Sequence, residues 1–302
     1  MNDSVSCVVL NYNDADTTIE FIERIKNYTA IAHIVVVDNN SSDDSFIRIK
    51  EHTNDKIKLI RTEKNGGYGA GNNFGVKYAY ETFNSKYVLV SNPDVIFSNQ
   101  CAENLRSALE QDDKIAAASA VQLTANGEVI RQFAWKLLPV WKYIFSAGEL
   151  LQRKRWDNYG MEWLNDAKSK GPFKTVDCIP GAMLMVSAKA FLDFGGYDER
   201  NFLYAEEAML ARKIKDNGLK TVLLVNDTYI HNHSVSINKS IPKLIKRYAL
   251  VLDAHYFYIS NYGQATGFQK LTAKVFYKLC IFEKIILEKT KNIRRRLKTK
   301  KN

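Results

Sequence analysis

Short apolar runs alternate with longer mixed stretches over the first two thirds of the chain. Val5-Ser-Cys-Val-Val-Leu10 is short and β-branched, which predicts a buried strand. Ile19, Phe21, Ile22 and Ile25 follow at helical spacing and predict a helix capped near Asp16 or Thr17. Further strands are predicted at 34–37, 57–60, 87–90, 183–186 and 221–225, and a helix over 206–217 ended by Gly218. Near-continuous apolar strands alternating with helices argue for an α/β fold, a mostly parallel central sheet flanked by helices.

The pattern changes past residue 238. Val275, Leu279, Phe282, Ile286, Ile293 and Leu297 form a stripe at spacings of mostly three and four, with a gap around Thr290. Lys270, Lys274, Lys278, Lys284 and Lys291 lie mainly off it. This predicts a basic amphipathic helical extension, and a division into a domain over 1–238 and the extension over 239–302. The charge divides at the same place. Residues 239–302 carry 16 basic and 3 acidic residues, while 1–238 carry 27 basic and 30 acidic. The net charge of +10 therefore belongs to the extension alone. A main body that grips nucleic acid should not be acidic, so no nucleic-acid partner is expected. A basic amphipathic helix suits an anionic membrane surface, or else packs on its own domain with a solvated basic face.

Apolar residues at 46% and charged residues at 25% exclude disorder, and no apolar run approaches the ~18–20 residues of a membrane span. Cys7, Cys101, Cys178 and Cys280 form no close pair, which removes the usual support for structural zinc or dithiol chemistry. They read as buried apolar filler in a reducing cytoplasm. The start lacks a basic stretch before its apolar run, so no secretory signal is expected. All four tryptophans, Trp135, Trp141, Trp156 and Trp163, fall within 133–175. That segment is either packing or a partly exposed wall for a ring-shaped or lipid-linked partner.

Candidate chemistry gathers after the strand ends, at Asn11–Asn13, Asp38 and Asp94, where open α/β sheets bind ligands. The glycine cluster Asn65–Asn73 lacks the dinucleotide spacing: it does not follow the first strand, and Asn72 falls where the third glycine belongs. It reads as a loop and helix start where backbone comes close to a ligand, or as a tight turn. Asn92-Pro93-Asp94 offers a carboxylate for a divalent cation bridging a diphosphate. Glu206 and Glu207 stand side by side at a helix start, as capping charges or as a pair in which one member is a general base. His231-Asn-His233 offers a ligand, a phosphate contact or a structural histidine.

Taken in order, Val5–Asn13, Val35–Asp43, Asn65–Gly75, Asn92–Val95, Gly181–Leu184, Gly195–Glu199 through Arg212, and His231–Ser236 resemble the family 2 glycosyltransferases, especially bacterial rhamnosyltransferase-like members. The resemblance implies a GT-A fold with a Rossmann-like nucleotide-sugar domain. It implies inverting transfer from a nucleotide-sugar donor, assisted by Mg2+ or Mn2+. Asn11, Tyr12, Asn13, Asp38, Asn40, Gly67, Asn72, Asn73 and Asn92 would line the donor nucleotide. Asp94, with His231, would hold the metal, Asn92 standing in place of the motif's first acid. Glu207 matches the second acid of the family's Glu-Asp pair, its catalytic base, with Glu206 as the alternative. Gly181 and Trp135 would lie on the acceptor side. Two departures from the family are Glu in place of Asp at 207 and Met209 where a further acid often stands. The resemblance further implies dTDP-rhamnose as first expectation for the donor and a glycan on a polyprenyl diphosphate as acceptor, at the inner face of a bacterial plasma membrane. A non-catalytic sugar-nucleotide or glycan-binding subunit and a nucleotidyltransferase on a related fold are the competing readings.

Overall fold

A computed structural model describes residues 4–148, 159–232 and 244–299, with side chains through 290. Four strands open the fold: β1 (Val5–Asn11), β2 (His33–Asp38), β3 (Ile57–Arg61) and β4 (Tyr87–Ser91). They lie side by side in the order β3-β2-β1-β4, all parallel. Their apolar runs are continuous because alternate residues enter two different cores. Val5, Cys7 and Val9 of β1 face one layer with Ile34 and Val36. Val8, Val35 and Val37 face the other. Burial on both faces is what a parallel sheet requires.

The second half of the sheet is mixed. β8 (Met183–Ser187) runs antiparallel between β4 and β6 (Ile115–Leu123), and β6 pairs in parallel with β9 (Lys220–His231). The short β5 (Val95–Ile96) and β7 (Phe173–Val176) both pair antiparallel with β9. β6 escapes sequence reading because Ile-Ala-Ala-Ala-Ser-Ala is a poor strand former by propensity. Tertiary context overrides this. The strand is buried almost end to end, and Ser119 Oγ donates to the Met183 carbonyl across the sheet at 2.6 Å.

Helices cover both faces. α1 (Ala15–Ile25) buries Ala15, Thr18, Phe21, Ile22 and Ile25. It starts just after Asp14 rather than near Asp16 or Thr17, and the Asp14 carbonyl accepts both the Thr18 amide and hydroxyl. α2 (Ser45–Lys50) is short, and α3 (Gly67–Phe83) holds the glycine cluster. A Cβ at Gly75 would come within 2.5 Å of Val8 and 2.8 Å of Val37, so the glycine lets α3 lie directly on the sheet. α4 (Asn99–Glu110) is capped by Ser98 Oγ on the Cys101 amide. α5 (Val140–Phe145), α6 (Met161–Lys168), α7 (Ala188–Asp193) and α8 (Glu206–Asp216) follow, then α9 (Leu244–Asn261) and α10 (Gly267–Thr299).

The chain forms two compact units, 1–137 with 158–240, and 138–157 with 241–302. The second unit takes in α5 as well as the C-terminal helices, where the sequence suggested a single cut at 238. In it the Tyr143 ring of α5 lies against His255 and Tyr258 of α9, at centroid distances of 4.7 and 4.5 Å. Among the described residues no helix is long and apolar enough to cross a membrane. The four cysteines are buried and free. Trp163 stacks near Tyr159 and Phe133, Trp141 is 40% exposed, and Trp156 lies outside the described residues.

Gly75→Val should overpack the α3–sheet contact and destabilise the protein by about 1–3 kcal/mol. Chemical denaturation would show a lower midpoint at unchanged slope, whereas Lys77→Ala on the exposed side of the same helix should leave the midpoint in place.

Candidate active site

The C-terminal ends of the parallel strands are joined by their own turn residues. Asn11 at the end of β1 donates from Nδ2 to Asp38 Oδ1 at 3.0 Å and to Ser41 Oγ at 3.1 Å. Asp38 Oδ2 takes the Ser41 amide at 3.1 Å and faces Arg61 Nε at 3.3 Å. Asp38 has no exposed surface, and Asn11 has 1%. Their side chains are therefore closed to a ligand in this conformation. They hold the turn that a nucleoside would meet, and do not themselves line it. Tyr12, Asn13 and Asn40 keep exposed surface beside them. Asn13 and Asn40 both take positive φ, 52° and 59°, which asparagine tolerates. Asn13 is tied to Ser41 and Ser42, and Asn40 accepts from Arg61 at 3.3 Å.

Asn39, which the sequence reading did not single out, links this turn to the glycine cluster. Its Nδ2 donates to Asn65 Oδ1 at 3.0 Å and to the Gly67 carbonyl at 3.1 Å. The signal was its place inside the Asp-Asn-Asn-Ser-Ser turn. Gly67, at φ 87°, is required by the protein's own backbone, as a tight turn would be. A Cβ there would sit 2.1 Å from the Phe202 carbonyl oxygen. The close approach is of protein to protein, and the Tyr68 amide donates to that same carbonyl at 3.1 Å. Asn72 is buried on α3, donating to the Tyr68 carbonyl, and its Oδ1 has no partner among the described residues. Asn73 faces elsewhere. It clamps the Tyr197 backbone through both of its amide atoms and reaches Glu199. It borders a groove of about 620 Å³ lined also by Arg61, Lys64 and Gly66. Burial of Asn72 and the clamp of Asn73 account for both side chains by packing.

Asn92 and Asp94 leave β4 as expected. The Asn92 amide donates to the Ala182 carbonyl at 2.8 Å, which fixes the strand end against the segment before β8. Asp94 Oδ1 lies 3.1 Å from His231 Nε2, and both side chains are about nine-tenths buried (10% and 9% exposed). Gln122 Nε2 faces His231 Nδ1 at 3.2 Å while its Oε1 takes the Tyr229 hydroxyl at 2.9 Å. Gln122 was not foreseen, since it lies on the strand that the sequence hides. His233 lies outside the described residues.

The acid pair stands one step away. Gly181 precedes Ala182, and its amide points at Glu207 Oε1 at 3.3 Å while its carbonyl accepts the Tyr68 hydroxyl at 2.6 Å. Trp135 exchanges two backbone hydrogen bonds with Cys178, three residues upstream. Tyr204 and Ala205, immediately before the pair, take φ of 76° and 60°. Consecutive left-handed residues without glycine cost about 1–2 kcal/mol each and mark a turn held by its surroundings. Asn201 holds this one, donating to the Tyr204 carbonyl at 2.7 Å. Burial, then the neighbouring Glu207 charge, pushes the Glu206 carboxyl up to about 8, and its Oε1 has no partner among the described residues. Burial raises Glu207 as well, against the pull of the Gly181 amide. Tyr68 is also raised, by burial first and by the nearby Tyr197 and the two glutamates. A cavity of about 10 Å³ adjoins Glu207, Gly181 and Tyr197. Met209 is 2% exposed and packs inward, so an acid at that position would be buried in this chain.

Short links thus join three acids distant in sequence: Asp38 through Asn39 and Gly67 to Tyr68, Tyr68 through Gly181 to Glu207, and Ala182 to the turn of Asp94. A parallel half-sheet with loops converging at its strand ends is the arrangement in which open α/β folds bind their ligands. Residues 6–166 match the family described as glycosyl transferase family 2. That is more than half of the chain, which therefore belongs to glycosyl transferase family 2 and is a glycosyltransferase by class.

The relatives agree. A low-salt glycan biosynthesis hexosyltransferase of Haloferax volcanii is 26% identical over 236 residues, 78% of this chain and 69% of that protein. An N-acetylglucosaminyl-diphospho-decaprenol L-rhamnosyltransferase of Mycobacterium tuberculosis is 23% identical over 250 residues, 79% of each. Among solved folds, GalNAc-T7 with UDP, GalNAc and Mn2+ superposes with a TM-score of 0.61 at 15% identity, over 85% of this chain and 50% of that one. This chain thus spans half the length of GalNAc-T7. The mannosyltransferase PcManGT of Pyrobaculum calidifontis, with GDP-Man and Mn2+, gives 0.59 at 17%, over 92% and 70%. These likenesses show the GT-A fold.

A carboxyl whose proton affinity rises on folding makes the folded state the better proton holder. Stability then falls as pH rises from the ordinary value of 4.5 toward about 8. Glu206→Gln should make this slope shallower, so its melting temperature should exceed that of wild type by a margin that grows across that window. Parallel pH-melting curves would sink the assignment.

Proposed function

We propose that the protein is an inverting glycosyltransferase that moves a hexosyl or deoxyhexosyl group from a nucleotide sugar to a hydroxyl of a lipid-linked glycan. The single observation that carries this reading is the short chain of hydrogen bonds joining the Asp38 turn, the Asp94 turn and Glu207. Tyr12, Asn13 and Asn40, backed by the Asn11–Asp38 pair, receive the nucleoside. The carboxylate and imidazole of Asp94 and His231, 3.1 Å apart, form a mixed oxygen–nitrogen pair. Among the described residues no third His, Cys, Asp or Glu joins them to make a closed metal cage. Asp94 and His231 are the residues that would hold Mg2+ or Mn2+. The ion, when bound, neutralises charge that builds on the departing diphosphate.

Glu207 is the base. Burial keeps its carboxylate avid for a proton, and the Gly181 N–H fixes one oxygen so that the other faces the acceptor. It takes the proton of the acceptor hydroxyl as that oxygen bonds to the anomeric carbon and the bond to the diphosphate breaks. Attack from the side opposite the leaving group inverts the anomeric centre. Burial and the neighbouring acid push Glu206 up to about 8, and burial raises Glu207 as well, so both members of the pair hold protons more tightly than an ordinary carboxyl. The strained Tyr204–Ala205 turn supports the reading, since strain of this kind persists where a side chain must be aimed.

For the donor we take dTDP-rhamnose first, with UDP-hexoses as the comparison. Support comes from the mycobacterial relative named as an L-rhamnosyltransferase on a decaprenyl diphosphate. That relative also motivates a polyprenyl-diphosphate-linked glycan as acceptor, with the enzyme working at the inner face of a plasma membrane.

Transfer from dTDP-rhamnose and UDP-hexoses to a lipid-linked acceptor, with and without Mn2+, tests the reading; no turnover of any donor would overturn it. Glu207→Gln should lower kcat by about 10²–10⁴ with donor binding unchanged. Asp94→Asn should weaken the response to Mn2+ by about tenfold or more. A full metal response in that variant would remove Asp94 from its role.

A further inference from the structure

α10 is apolar on two opposite sides, and among the described residues its neighbours within the second unit cover only one. Ala273, Tyr277 and Cys280 are buried, at 0%, 5% and 2% exposure. Phe268, Leu271, Val275, Leu279, Phe282 and Ile286 are 48–71% exposed. At about 100° per residue these six fall within an arc of about 80°, facing away from the buried three. They run for about 27 Å along the axis at 1.5 Å per residue. The stripe read from the sequence is, from Val275 to Ile286, the outer face of the helix, and the side chains of Ile293 and Leu297 lie outside the described residues. Trp141 of α5, 40% exposed, extends it at one end with its ring 6.0 Å from that of Phe268.

We propose that this outer stripe is the surface by which the protein lies on an anionic lipid bilayer. Charge argues for lipid as the occupant. Lys274, Lys278 and Lys289 are exposed along one border of the stripe. Glu283 flanks the other border with its Oε1 buried, and Glu288 lies away from the stripe. Beyond Ile286 the helix backbone continues to Thr299 through Lys291, Arg294, Arg295, Arg296 and Lys298. An apolar stripe bordered and extended by cations matches acyl chains beneath acidic headgroups. A tryptophan at its rim suits the headgroup level. An antiparallel isologous pair through this stripe would bring the lysine borders of two copies together. The helix is not apolar enough to cross a membrane, so it lies along the surface. The inference rests on α10 and not on the transfer reaction.

The test uses the full chain and phosphatidylcholine vesicles with or without phosphatidylglycerol. Wild type should co-sediment with the anionic vesicles, and about tenfold less with neutral ones or at high salt. The triple variant Leu271→Asp, Leu279→Asp, Phe282→Asp replaces only exposed side chains. It should keep wild-type circular dichroism and lose about tenfold or more of its vesicle binding. Two outcomes overturn the inference: wild-type binding by the folded variant, or a concentration-dependent dimer that those substitutions abolish while no vesicle binding is seen. Donor turnover is read separately, so an inactive enzyme that binds vesicles overturns the proposed reaction and leaves this surface standing.

Discussion

The site is organised around a carboxylate that water does not reach. An ionised group with no exposed surface costs several kcal/mol unless hydrogen bonds replace its solvation. At Asp38 that replacement comes from Asn11, the Ser41 amide and Arg61. The requirement draws the ends of β1, β2 and β3 together and fixes the Asp-Asn-Asn-Ser-Ser turn. From the fixed turn Asn39 reaches the Gly67 carbonyl, so the start of α3 is placed by the same charge. Through Gly67 and Tyr68 the constraint passes to Phe202 and Gly181. Moving one of these turns would break hydrogen bonds in the next.

Buried carboxyls appear again on the far side of this chain of contacts, with fewer hydrogen-bond partners. Asp38 has hydrogen-bond partners on both oxygens. Glu206 has one oxygen with none among the described residues, and burial together with its neighbour raises its carboxyl to about 8. The difference follows from local geometry. Asp38 ends a strand and turns into a loop rich in donors. Glu206 opens a helix after two left-handed residues, against Tyr68 and Gly181. One environment organises structure; the other stores proton affinity and backbone strain where a reaction can use them. Asp94 and His231 lie between these extremes, paired with each other and backed by Gln122 and Tyr229.

The second unit follows separate rules. Its aromatic contacts, Tyr143 on His255 and Tyr258 among them, hold α5 against α9. α10 adds Ala273, Tyr277 and Cys280 to that packing, and Phe276 meets Phe145 of α5, while Phe268, Leu271, Val275, Leu279, Phe282 and Ile286 stay exposed.

Much of this was legible without coordinates. Continuous β-branched runs determined the parallel half-sheet, because only strands buried on both faces can be apolar at every position. Polar residues following those runs determined that chemistry gathers at the strand ends. The spacing of Val275, Leu279, Phe282 and Ile286 determined an amphipathic helix. Tertiary structure decided the rest. β6 forms from alanines because its neighbours bury it, and Gln122 comes with it. Gly67 is a glycine for the Phe202 backbone, and Asn72 and Asp38 turn inward while Asn73 clamps Tyr197, since backbone proximity across a fold leaves no mark in local spacing. The outward aim of the α10 stripe belongs to the same class. Periodicity shows that a helix has an apolar side, but a helix with two such sides is oriented only by which of them its neighbours cover.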